Sequence, residues 1–235
     1  MSKEVDHRMT DSPIDSQRAL VMELLIVLGI ILAVAKVLSL LTSVAFIAES
    51  LHLLVAILFL YTPIVVLWVR RRRIEFLDRT ASDYFTSLLT FFVAALIIFP
   101  LFLLGAHVWQ LGVGGKVHFQ AAPFPDLLGV MGVQLLLIAL PEEFFFRGYF
   151  QSAANVIFTR RVRFLGASIG LALPLTALIF AFAHSLILYR WWQPAIFFPA
   201  LLFGYLRERT GSITAPVLFH AACNIIMDWV SRSYV

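Results

Sequence analysis

The sequence predicts an all-α protein: a polytopic transmembrane helix bundle of about seven spans with its N-terminus in the cytosol. Three observations lead there. Of the 235 residues, 61% are apolar and only 14% charged, with a mean hydropathy of +0.91. A soluble domain is nearer half apolar and a quarter charged. The apolar residues form continuous runs of about 20, the length of a bilayer-crossing helix, rather than the alternation of a membrane barrel. Lys and Arg, finally, gather on one side of those runs.

The runs place spans at 19–41, 50–69, 84–106, 127–150, 171–189, 194–206 and 213–230. One side then holds Lys3, Arg8, Arg18, Arg70–Arg73, Arg79, Arg160, Arg161, Arg163, Arg207 and Arg209. The other holds only Lys116, Arg190 and Arg232, with Lys36 and Arg147 inside spans. This bias sets the N-terminus inside and the C-terminus outside. The net charge of +4 therefore reads as a topology anchor on anionic headgroups, not as a nucleic-acid surface.

Residues 1–18 are polar and of mixed charge, so no cleavable signal peptide is expected and the first span targets the chain. The first three spans carry only the isolated Glu23, Lys36 and His52 and read as scaffold. Glu23 and Lys36, near opposite ends of one span, are expected to snorkel. The connection 70–83 sets Ile74, Phe76 and Leu77 among charges and reads as an amphipathic surface segment. The loop 107–126, with Gly112, Gly114, Gly115, Pro123 and Pro125, lacks the setting of a phosphate loop and reads as an external turn. No repeat is visible, which weighs against an inverted-repeat transporter. The domain reading is a polar tail (1–18), scaffold spans with loops (19–126) and a catalytic core (127–235). The single cysteine, Cys223, allows no internal disulfide.

The core carries the chemistry. The stretch Pro141-Glu142-Glu143-Phe144-Phe145-Phe146-Arg147 puts three ionisable groups in otherwise lipid-soluble helix. Each such group costs roughly 2.5–3.5 kcal/mol at a span centre, so they read as functional by default. Glu143 and Arg147 share a helix face and can pair, which alone could be a packing ion pair. Glu142 lies about 100° away with no local counter-ion and is the candidate general base. His184 alone reads equally as a hydrogen-bonded packing group. His220 and Asn224, four apart, can aim two donors at one oxygen, as in an oxyanion hole; an interhelical hydrogen-bond pair is the alternative. His184 reaches the same depth if 164–170 is a re-entrant or interfacial segment, loosened by Gly166, Gly170 and Pro174, and the span begins near Leu171.

In order, Glu142-Glu143-x-x-x-Arg147, Phe180-x-x-x-His184 and His220-x-x-x-Asn224 resemble the three motifs of the CPBP family. That family includes the type II CAAX prenyl endopeptidases and bacterial relatives once called Abi proteins. Phe146-Arg147-Gly148 and Arg209-Thr210-Gly211-Ser212 also resemble it, and the likeness covers about 127–230. The first two motifs stand unusually far apart, separated in part by 158–174. The resemblance implies an intramembrane glutamic-type endopeptidase: Glu142 and His184 activate a water, His220 and Asn224 bind the oxyanion, and Glu143 and Arg147 hold the site together.

The expected substrate is membrane-associated: a C-terminal tail, a lipidated peptide such as a Cys-a-a-X terminus, or a sorting signal. The compact loops favour a bacterial cytoplasmic (inner) membrane. No cofactor is expected. Glu with two His is also a possible zinc set, but His-Glu-x-x-His is missing and the histidines come from different spans. A zinc-dependent version of the protease, and a non-catalytic membrane binding or bacteriocin-immunity protein, are the alternatives.

Overall fold

The computed structural model describes residues 13–73, 75–115, 118–123, 126–187, 190 and 192–234. Seven helices dominate them. These are α1 (Pro13–Leu40), α2 (Ala45–Val69), α3 (Ala81–Gly112), α4 (Leu127–Ile157), α5 (Ala172–Ile187), α6 (Phe197–Thr210) and α7 (Thr214–Ser233). The all-α bundle read from the sequence is thus the fold. Of these, α1 to α4 are long and apolar enough to cross a membrane. The shorter α5 and the more polar α6 and α7 pack around α4 and one another, where polar groups find protein partners instead of lipid.

Local chemistry sets several ends. Thr80 and Asp83 form a reciprocal capping box at the start of α3, at 3.2 and 2.9 Å. Gly211, with φ +76°, stops α6 in the left-handed conformation that lets the chain reverse into α7. The largest core cluster joins α1 (Leu24, Val27, Ile31), α2 (Phe59), α4 (Phe145, Phe146, Tyr149) and Phe180 of α5. Phe203, Leu206 and Phe219 seal α6 and α7 against α3.

Four local expectations are corrected. Glu23 does not snorkel: its buried carboxylate accepts from the Tyr149 hydroxyl at 2.8 Å and pairs with Arg70 and Arg72. The α2–α3 connection folds back over α1, and a buried carboxylate with three donors is better satisfied there than at the surface. Lys36 likewise reaches protein, donating to the Ile187 carbonyl at the end of α5, at 3.3 Å.

The 70–83 connection does not lie flat along a surface, although Ile74 is outside the described residues. Phe76 is buried, and its carbonyl accepts from the Ile213 N–H at 2.9 Å. Segment 164–170, expected as a re-entrant or interfacial stretch of loosened helix, belongs instead to an antiparallel hairpin, β1 (Arg161–Phe164) with β2 (Ala167–Gly170). Its turn residues Leu165 and Gly166 both have positive φ, as two-residue hairpin loops require. α5 begins one residue after the expected Leu171. Finally, 13–18 of the expected tail is helical, while residues 1–12, including Lys3 and Arg8, are outside the described residues, as is Lys116.

The inward turn of Phe76 rests on Gly148: a Cβ there would lie 2.9 Å from the Phe76 ring. Gly148→Ala is expected to cost about 1–3 kcal/mol through overpacking. The check is the unfolding temperature of the full-length protein in detergent, which should fall.

Candidate active site

Three helices assemble the site. α4 supplies Glu142, Glu143 and Arg147, α5 supplies His184, and α7 supplies His220 and Asn224. Both glutamates lie on a short α-helical segment, Leu140–Glu143, set between two π-helical stretches, Val133–Ala139 and Phe144–Gln151. Such wide turns inside α-helices recur at functional sites.

Consecutive residues on an α-turn point about 100° apart, and the two carboxylates serve different neighbours. Glu143 faces the interior and is fully buried. Its Oε1 accepts from Arg147 Nη1 at 3.0 Å and lies 2.9 Å from His220 Nδ1. Arg147, also fully buried, donates through its other terminal nitrogen to the Ala200 carbonyl at 3.0 Å. Its guanidinium sits 4.4 Å from the centre of the Phe180 ring and 5.2 Å from that of Phe203. A carboxylate, a carbonyl and two aromatic faces together offset the cost of burying that charge.

Glu142 faces the histidines. Its Oε2 lies 3.8 Å from His184 Nε2 and 3.8 Å from His220 Nε2, beyond direct hydrogen-bonding distance. It has no hydrogen-bond partner among the described residues. Both imidazoles are tied back at Nδ1. That of His184 donates to the Phe180 carbonyl at 2.9 Å, and that of His220 meets Glu143. When neutral, each ring therefore presents an Nε2 lone pair toward Glu142. Three acceptors thus border one space. Side-chain exposure falls from 26% at His184 through 16% at Glu142 to 6% at His220, so the space is reached from the His184 side.

Asn224 and His220 both meet polar side chains of α4. Each has its own partner on α4: the Asn224 amide donates to Gln134 Oε1 at 2.9 Å. Cys223 packs beside the Phe203–Leu206–Phe219 cluster. Among the described residues no group of three His, Cys, Asp or Glu side chains is disposed to hold a metal ion.

Sequence reasoning missed Gln134 and Phe203. Gln134 was signalled as a polar residue in the apolar run that opens α4. Phe203, which stacks on His220 with ring centres 4.7 Å apart, gives no sign of its role among the other phenylalanines.

Residues 124–226 match the family model described as type II CAAX prenyl endopeptidase Rce1-like. Over that stretch the chain is similar to the domain of that family. The matched stretch holds every site residue named above. The likeness supports CAAX-type intramembrane protease activity in general terms, that of a hydrolase acting on peptide in a membrane setting. No curated protein and no solved structure matches the chain.

Proposed function

We propose that the protein is a metal-free, glutamate-dependent intramembrane endopeptidase that cleaves a lipidated or membrane-anchored C-terminal tail. The observation that carries this reading is the Glu142 carboxylate, unpartnered and 3.8 Å from two imidazole Nε2 atoms that can only accept when neutral. A water among these groups donates its hydrogens to Glu142 and His184 and turns a lone pair toward the scissile carbonyl. Glu142 takes the proton as the tetrahedral intermediate forms, and delivers it to the leaving amine.

His220 serves the oxyanion. To donate from Nε2 it must carry a second proton, and the resulting imidazolium is stabilised by Glu143 through Nδ1. Asn224 adds an amide donor if substrate binding draws one N–H away from, or past, Gln134. Arg147 fixes Glu143 and so holds the His220 ring in place. The apolar flanks of the site suit an acyl or prenyl chain beside the peptide, and the basic end of the bundle faces the cytosol of a bacterial cell.

The direct test is cleavage of a farnesylated peptide ending in Cys-a-a-X by the full-length protein in detergent, with products identified by mass spectrometry. Release of the terminal peptide is expected from the native chain and not from His184→Ala. A second expectation separates this reading from a zinc enzyme. Prolonged dialysis against a strong chelator should leave the rate unchanged, and inhibition that zinc alone reverses would overturn metal-free chemistry.

A further inference from the structure

At the end of α2 the backbone makes an unusual choice. The Arg72 N–H bonds the Leu67 carbonyl at 3.0 Å and the Arg71 N–H bonds that of Trp68 at 3.1 Å, a Schellman-type helix stop. The residue in the left-handed position of that stop is normally glycine. Here it is Arg71, with φ +51°. A large side chain in that region is strained, and such strain collects where a ligand is held.

The turn sorts four consecutive arginines into two sets. Arg70 and Arg72 swing inward to Glu23. Arg71 and Arg73 point outward, with no hydrogen bond or ion pair to any described residue. They border a surface pocket of about 610 Å³ with Leu67, Trp68, Val69 and the outer side of Arg72. Trp68 is 79% exposed at the end of a membrane-spanning helix, where an indole belongs at headgroup level. One carboxylate for four guanidinium groups leaves a local excess of positive charge beside an apolar wall.

We propose that this pocket binds the headgroup phosphate of an anionic phospholipid, held by Arg71 and Arg73 with its glycerol and upper acyl chain against Trp68 and Leu67. The occupant is a lipid rather than a free phosphate because the apolar wall continues directly into the lipid-facing surface of α2, where Ile64 and Val65 are also exposed. Arg72 lines the pocket and also grips Glu23, which holds Tyr149 on the catalytic helix. The site is thereby tied mechanically to α4.

Full-length protein in neutral detergent would be titrated with phosphatidylglycerol and with phosphatidylcholine of the same acyl chains, counting bound lipid by native mass spectrometry. Phosphatidylglycerol is expected to bind at least about tenfold more tightly. At about fivefold per arginine, the R71Q/R73Q variant should weaken it about twenty-fivefold. The R160Q/R163Q variant, which removes equal charge at the same end of the bundle, should change it less than twofold. Arg71→Gly relieves the strained backbone while deleting one contact, so it should raise the unfolding temperature yet weaken phosphatidylglycerol about fivefold; it carries the test if R71Q/R73Q does not fold. Equal binding of both lipids, an equal loss in R160Q/R163Q, or displacement of phosphatidylglycerol by equimolar inorganic phosphate would each overturn the assignment.

Discussion

Glu142→Gln is expected to lower peptide cleavage by at least about two orders of magnitude while leaving the unfolding temperature within a degree or two. Gln keeps the shape of the side chain and one acceptor oxygen but cannot take the proton of an attacking water. Glu142 makes no hydrogen bond to any described residue, so removing its charge breaks no packing interaction. A purely structural carboxylate would behave oppositely, with stability changing and any activity surviving. Full cleavage by the Gln variant would sink the catalytic role of Glu142, and an immunity or binding protein would retain its phenotype. Glu142→Asp is the informative companion: it retains the base but draws the carboxylate back from both imidazoles, so part of the rate should return.

The second large effect is on folding. Glu143→Ala strands Arg147 in the interior without its carboxylate and removes the partner of His220 Nδ1. Breaking one side of a buried pair typically costs about 3–5 kcal/mol, enough to prevent accumulation of many proteins. The double substitution Glu143→Leu with Arg147→Met should recover much of that stability, since no lone charge is left behind. It should remain inactive, because His220 is then unsupported. Thermal unfolding in detergent and peptide cleavage together separate these two roles, and a well-folded, active Glu143→Ala would refute both.

The difference between the two glutamates was legible in the chain because it depends only on local geometry. Four residues from Leu140 to Glu143 are ordinary α-helix, so the 100° step between neighbours holds where it mattered. The pairing of Glu143 with Arg147 is likewise a matter of i to i+4 spacing. What lay beyond reach was set by helices meeting across the bundle. Nothing near Asn224 in sequence indicates Gln134, and nothing near Tyr149 indicates Glu23. The π-helical stretches carry no periodic signature in a segment apolar on nearly every side.

The hairpin was partly visible. Arginine alternates with Val162 and Phe164, and Gly166 follows at the turn, but four residues are too few to separate a strand from the end of a helix. The 70–83 connection misled for another reason. Its charges drew attention to the surface, whereas Phe76, its one deeply buried hydrophobic side chain among the described residues, decided its course.

The hydroxyl of Tyr149 ends on Glu23, more than a hundred residues earlier in the chain and outside the matched domain. A chimera that grafts residues 127–235 onto foreign N-terminal helices would therefore leave that phenol without its carboxylate partner, because Glu23 and the Arg70 and Arg72 that hold it are all left behind. For anyone redesigning this protein, the transplantable unit is the whole seven-helix body, and a graft should carry the Glu23 side of the interface with it.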